Sequence, residues 1–195
     1  MEKNSKKESI SRKLLIGIIV VAAIIIFICI VNSFKTDGMQ QNINTKVYYR
    51  TYTTEKGWSK WVKDGITSGD KKNSIKGLQI KINSKDAGNV VFSCYYDKEW
   101  TDYYHNNEKC ESKTKDMTGV KINVSDKLYD SQTIFYRTYN SKDGWLKWET
   151  QNKSAGAGIE SKPINAIEIK VVPRSAYYAD FLRDYNKENK QSSEF

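Results

Sequence analysis

Three stretches of the chain alternate strictly between apolar and polar positions. Leu78, Ile80 and Ile82 are separated by Gln79 and Lys81, and Val120, Ile122 and Val124 by Lys121 and Asn123. Ile167, Ile169 and Val171 are separated by Glu168 and Lys170. Successive side chains of a strand point to opposite faces, so each alternation predicts a half-buried strand. A second pattern precedes the first of these. Val47–Val62, VYYRTYTTEKGWSKWV, predicts a strand over Val47–Thr53, a tight turn at Glu55-Lys56-Gly57 and a return strand over Trp58–Lys63. Residues 134–148, IFYRTYNSKDGWLKW, repeat it 87 residues later, keeping the equivalents of Tyr49, Arg50, Thr51, Tyr52, Gly57, Trp58, Lys60 and Trp61. A decayed copy over Val91–Tyr104 keeps Trp100, but Glu99 replaces the turn glycine and Tyr103 the second tryptophan.

Period-2 geometry sorts these residues by face. Val47, Tyr49 and Thr51 share one face, matched by Ile134, Tyr136 and Thr138 and by Val90, Phe92 and Cys94; these are candidate core. Tyr48, Arg50 and Tyr52 share the other face, matched by Phe135, Arg137 and Tyr139. An arginine between two aromatics at this spacing belongs on a surface, where its guanidinium can stack on the rings. Trp58 and Trp61 stand an odd number of residues apart, so without a bulge they face opposite sides. Units of about 43 residues cannot each bury an apolar face alone, but three can share one core and remove most open sheet edges. The expectation is an all-β domain of three pseudo-threefold repeats over residues 47–172 (about 47–83, 90–124 and 134–172). A β-prism-like arrangement is preferred, with a β-trefoil-like one or an open β-solenoid as alternatives.

One stretch belongs to a different solvent. Leu14–Val31, LLIGIIVVAAIIIFICIV, is eighteen residues without a charge. As a helix it reaches about 27 Å, close to the thickness of a bilayer's hydrocarbon core. Lys3, Lys6, Lys7, Arg12 and Lys13 precede it, and Lys35 and Lys46 are the basic residues in the fifteen that follow. The positive-inside bias keeps residues 1–13 in the cytoplasm and sends residues 32–195 outside. The rival is a signal peptide cleaved after Ser33, which the length of the apolar run disfavours. Residues 32–46 read as a polar spacer. In residues 173–195, Tyr177, Tyr178, Phe181, Leu182 and Tyr185 have the spacing of a short amphipathic helix followed by a tail.

Composition supports strands: 13 Tyr and 5 Trp accompany only 2 Pro. The formal charge is +9, from 32 basic and 23 acidic residues. Residues 1–13, with five basic and two acidic side chains, supply +3 of it and leave +6 for the rest. Lysines are scattered rather than clustered, which argues against a nucleic-acid partner. Cys94 and Cys110 are the cysteines outside the apolar run, and an exported pair reads as a disulfide, with two free thiols as the alternative. His105 is the sole histidine and has no ligand-spaced companions, so no metal site is expected. No positioned acid, base or nucleophile is recognisable, so the chain reads as no enzyme and needs no cofactor.

Tyr49, Gly57-Trp58, Trp61-Val62, Asp64-Gly65, Ser68-Gly69 and the closing Leu78–Ile82 resemble the clostridial hydrophobic repeat with its Trp, the ChW repeat. The third unit is similar at Tyr136, Gly144-Trp145, Trp148, Ala155-Gly156 and Ile167, Ile169 and Val171, although Asn152 replaces the first-turn glycine. The middle unit departs furthest. The resemblance covers about residues 47–172. It implies a secreted or surface-attached protein of a low-GC Gram-positive bacterium that binds carbohydrate or protein, without catalytic residues.

The functional expectation is a membrane-anchored extracellular binding module for carbohydrate or a cell-wall polymer, with a protein adhesion or scaffold module as alternative. Exposed Tyr and Trp rings suit sugars and protein hot spots alike. The candidate ligand-binding residues are Tyr48, Arg50, Tyr52, Trp58, Phe135, Arg137, Tyr139 and Trp145. The competing account of both tryptophans is that they seal seams between sheets.

Overall fold

The computed structural model describes residues 45–84, 88–156 and 162–174, with Arg183 and Lys187. The apolar run Leu14–Val31, nearly all of the spacer and most of the expected tail helix lie outside these residues. Within them no helix is long and apolar enough to cross a membrane.

The domain is built of antiparallel β-sheets. The first sheet comprises β1 (Lys46–Thr53), β2 (Gly57–Trp58), β3 (Val62–Lys63) and β5 (Gly77–Asn83), with β4 (Ser68–Gly69) set apart from it. The second comprises β6 (Val90–Tyr96), β7 (Glu99–Trp100) and β9 (Gly119–Val124), with β8 (Lys109–Glu111) set apart. A six-residue helix, α1 (Asp126–Ser131), leads to the third sheet. That sheet comprises β10 (Gln132–Asn140), β11 (Gly144–Trp145), β12 (Glu149–Thr150) and β13 (Ala166–Pro173), and β4 joins it as a fifth strand, as β8 joins the first sheet. The expected long strands and closing strands are all present. The return strand of each hairpin, expected to be continuous, is interrupted.

The interruption has a definite form. Tyr52 faces Trp58 and Tyr49 faces Val62, so three residues, Ser59–Trp61, oppose two, Arg50 and Thr51. The third hairpin has the same offset, between Tyr139↔Trp145 and Tyr136↔Glu149, and so does the second, between Tyr95↔Trp100 and Phe92↔Tyr104. One extra residue is a β-bulge, and it inverts the facing of everything beyond it. Ser59 holds the bulge from both sides: its amide donates to Thr51 O at 2.8 Å, and its Oγ accepts from Thr51 N at 3.1 Å. The turns before it differ. Gly57 and Gly144 lie at φ +70° and +78°, where a Cβ would meet nothing, so conformation rather than space requires glycine. The middle hairpin turns instead through Asp97 and Lys98, both at positive φ between Tyr96 and Glu99. That two-residue turn matches the twist of its strands without a glycine.

Each sheet takes the partner for its closing strand from another segment. Leu78 of β5 faces Cys110 of β8, Ile167 of β13 faces Ser68 of β4, and Val120 of β9 faces Ala155. Three backbone amides at positive φ reinforce these crossings. Gly65 N donates to Ile169 O (2.7 Å), Asn107 N to Ile80 O (2.8 Å) and Asn152 N to Ile122 O (2.8 Å). The first segment thus reaches the third sheet, the second segment the first sheet, and the third segment the second sheet.

The inward faces form one core. Val47, Tyr49, Phe92, Cys94, Ile134 and Tyr136 are fully buried in it, alongside Leu78, Ile80, Val120, Ile122, Ile167 and Ile169. Two buried tyrosines also tie loops to strands. Tyr49 Oη donates to Ile66 O and accepts from Ile169 N at 3.0 Å, while Tyr136 Oη donates to Lys153 O. Helix α1 was not anticipated, because six residues are too few to establish a 3.6-residue period. Its one buried side chain, Leu128, packs over Gly88, where a Cβ would come within 2.7 Å of it.

A single side-chain pair recurs beneath each crossing. Thr51 and Ser68 share a hydroxyl–hydroxyl hydrogen bond of 3.0 Å. In the third hairpin Thr138 keeps its place, but Ala155 stands where Ser68 would be, and Thr138 Oγ1 is buried without a partner. Ala155→Ser should supply that partner. The expected gain is about 1 kcal/mol in urea unfolding with an unchanged slope; a loss would mean that the site has no room for the oxygen.

Candidate functional site

The bulge decides what the outward face presents. Because it inverts the strand, Trp58 and Trp61 lie on the same side rather than on opposite ones, and Arg50 reaches both. Its guanidinium carbon is 5.1 Å from the Trp58 ring centroid and 4.8 Å from that of Trp61. Lys81 Nζ flanks Trp61 at 4.3 Å and Tyr48 at 5.8 Å, and Lys109 Nζ flanks Trp58 at 5.5 Å. The result is a ladder of alternating cations and rings: Lys81, Trp61, Arg50, Trp58, Lys109. Each rung contributes about 0.5–2 kcal/mol according to its desolvation. Tyr52 tilts against Trp58, with centroids 5.6 Å apart.

The third sheet builds the same ladder. Arg137 lies 4.8 Å from Trp145 and 4.6 Å from Trp148. Lys170 flanks Trp148 at 4.5 Å, and Lys71 flanks Trp145 at 5.4 Å and Tyr139 at 5.1 Å. The middle sheet has Ser93 in place of the arginine and draws its cation from the adjacent strand, where Lys121 sits 4.1 Å from Trp100.

The two full ladders differ in two ways. Tyr48 and Trp61 are half-buried, whereas Phe135 and Trp148 are 0% and 2% exposed. Phe135, expected on the accessible strip, is therefore buried. The arginines also have different partners. Arg50 Nε donates to the neutral Gln79 Oε1 at 2.8 Å, while Arg137 Nε pairs with the Glu168 carboxylate at 2.9 Å. Of the expected ligand residues, Tyr48, Arg50, Tyr52 and Trp58 thus gather on the first sheet, and Arg137, Tyr139 and Trp145 on the third.

An open groove of about 390 Å³ adjoins the first ladder, lined by Tyr48, Lys81, Ile82, Asn83, Asn106 and Asn107. Its floor is fixed by amides: Asn106 Oδ1 accepts from Ile82 N at 2.7 Å, and Asn107 O accepts from Gln79 Nε2 at 2.7 Å. Lys81, Gln79 and the asparagines escaped the sequence-based expectation, although pairing Tyr48 with Lys81 across the sheet would have identified the first. Lys109 and Lys71 carry no local signal, since each arrives from a different segment of the chain than the tryptophan it flanks.

The expected disulfide is absent. Cys94 and Cys110 are free thiols, both fully buried. They occupy the position that Thr51 and Ser68 hold beneath the first hairpin, where small hydrogen-bonding groups meet at a strand crossing. Burial, with the neighbouring Cys110 thiol adding to it, pushes the Cys94 thiol well above its usual pKa range. Tyr96 Oη lies 3.5 Å from Cys110 Sγ. The pair therefore packs as two small core groups. Burial likewise raises the Tyr49 hydroxyl above its usual range, which keeps it a donor. Among the described residues, no group of three or more His, Cys, Asp and Glu could hold a metal ion.

No family model matches the chain, and no curated protein or solved structure matches it either.

Free thiols predict indifference to reductant. The urea unfolding midpoint should be the same with and without an excess of tris(2-carboxyethyl)phosphine, and Cys94→Thr with Cys110→Ser should preserve the fold. An unfolding free energy that drops by more than about 2 kcal/mol on reduction would show that the covalent bond exists.

Proposed function

We propose that the chain is a membrane-anchored, extracellular, non-catalytic module that binds a carbohydrate or cell-wall polymer through the outward face of its first sheet. The observation that carries this reading is the half-open row of Tyr48, Trp61, Arg50 and Trp58 beside a groove rimmed by Tyr48, Lys81, Asn83, Asn106 and Asn107. An aromatic ring, amide groups and a cation around an open cleft are the groups that recognise sugars: the ring packs on C–H faces and the amides meet hydroxyls. The anchor rests on the eighteen apolar residues Leu14–Val31 and the basic residues before them.

The same reading takes the domain as three pseudo-threefold repeats in a β-prism-like arrangement, akin to ChW repeats. Its support is the cyclic order of the strand crossings and the bulge common to the three hairpins. A protein partner is the competing reading. Ile66 and Tyr103, at 56% and 55% exposed, are the observation in its favour.

In this account the tryptophans chiefly brace the ladder, because cations flank them within 5.5 Å, and Tyr48, which lines the groove with Lys81 Nζ further off at 5.8 Å, is the ring left for a ligand. The full chain in detergent, passed over a glycan array, should bind saturably, and Tyr48→Ala should weaken binding about tenfold without changing thermal unfolding. Absence of saturable glycan binding, with capture of a surface protein that Tyr103→Ala abolishes, would overturn the carbohydrate reading.

A further inference from the structure

The first ladder carries more uncompensated positive charge than the third, and the difference lies at two register positions. The residue opposite the ladder arginine is Gln79 in the first sheet and Glu168 in the third. The residue across from the first aromatic is Lys63 in the first sheet and Thr150 in the third. Directly opposed residues of paired strands share a face. Tyr48 therefore stands between Lys63 and Lys81 on the outward side, with Arg50 one pleat further along and Lys109 beyond it. Among the described residues, none of these four cations forms an ion pair, whereas Arg137 is neutralised by Glu168 at 2.9 Å. Asp64 follows Lys63 and acts on it electrostatically, but its carboxylate accepts from Val47 N at 3.2 Å and forms no ion pair with Lys63; two further acids come from the second segment. Glu108 accepts a hydrogen bond from His105 N at 2.6 Å, and Glu111 faces Gly77, past the Trp58 end of the row. The strands β1, β3 and β5 contribute no carboxylate.

Four unpaired cations along one face of a sheet, beside an amide-rimmed groove, form a track rather than a point site. We propose that this face selects an acidic polysaccharide, one whose sugars carry carboxylate or phosphodiester groups. Lys63, Lys81 and Lys109 meet successive charges as point cations, and the free edge of the Arg50 guanidinium offers a forked pair of donors. Tyr48 and the Asn106 and Asn107 amides contact the sugar ring between charges. Gln79 is the specificity-determining residue: as an amide it orients Arg50 without cancelling its charge, the task that Glu168 performs with cancellation in the third sheet. The proposal rests on the polysaccharide reading above and sharpens it.

The test uses the full chain in detergent with immobilised polygalacturonate, its fully methyl-esterified neutral counterpart, poly(glycerol phosphate), and double-stranded DNA as a charged non-glycan. Binding to at least one of the two anionic polymers is expected to exceed that to the neutral ester by about tenfold and to fall steeply with salt. Which of the two binds tells carboxylate from phosphodiester. Gln79→Glu should remove most of that preference, as should Lys81→Gln; the first also gives up the hydrogen bond from Gln79 Nε2 to Asn107 O and lowers thermal stability, whereas Lys81→Gln should leave thermal unfolding at the wild-type value and so separates charge from folding. Glu168→Gln should add nothing, since Phe135 and Trp148 are buried there. Equal binding of the esterified and acidic polymers would overturn the charge selection and leave the polysaccharide reading standing. Binding to no polysaccharide would overturn both. DNA bound as tightly as the anionic polymers, or a Gln79→Glu variant that binds them unchanged, would refute the track.

Discussion

The outer edge of each closing strand carries backbone groups that need partners once the sheets pack around a common core. Within its own segment each of β5, β9 and β13 has a partner on one side only, namely β1, β6 and β10. The other edge is filled by one to three residues from a different segment, and the amides of Gly65, Asn107 and Asn152 continue the crossing. Unpaired buried backbone groups cost enough that this constraint decides the architecture. It explains why residues as brief as Ser68-Gly69 adopt strand geometry. The same crossings deliver Lys109 to the first ladder and Lys71 to the third, so the outward chemistry depends on the closure as well.

Beneath the crossings one position tolerates three chemistries. Thr51 with Ser68 makes a hydroxyl pair, Cys94 with Cys110 a thiol pair, and Thr138 with Ala155 an incomplete one. The alternatives differ in hydrogen bonding rather than in shape. A pair of buried cysteines is consequently a packing solution as much as a redox one.

Much of the scaffold was legible in the chain. Strict alternation at Leu78–Ile82, Val120–Val124 and Ile167–Val171 identified the closing strands, and the face assignment of Val47, Tyr49 and Thr51 against Tyr48, Arg50 and Tyr52 follows from period 2 alone. The bulge was not legible, since nothing in Trp58-Ser59-Lys60-Trp61 marks the extra residue until its partner strand is known. That one residue turned two tryptophans expected on opposite faces into the walls of an arginine slot. The burial of Phe135 was equally hidden, because its copy Tyr48 has the same pattern and a different exposure. Gln79 and Glu168 looked like interchangeable polar positions of an alternation. Only pairing with Arg50 and Arg137 revealed that one leaves a charge standing and the other removes it.

Cyclic closure is the central claim, and native-state hydrogen exchange of the amides of Gly65, Asn107 and Asn152 tests it most directly. If each sheet depends on the next, the three protons should exchange only through global unfolding, with protection factors equal to one another within about tenfold and responding together to urea. One of the three exchanging far faster, by a local opening insensitive to urea while the others stay protected, would show that the ring of crossings is broken at that point.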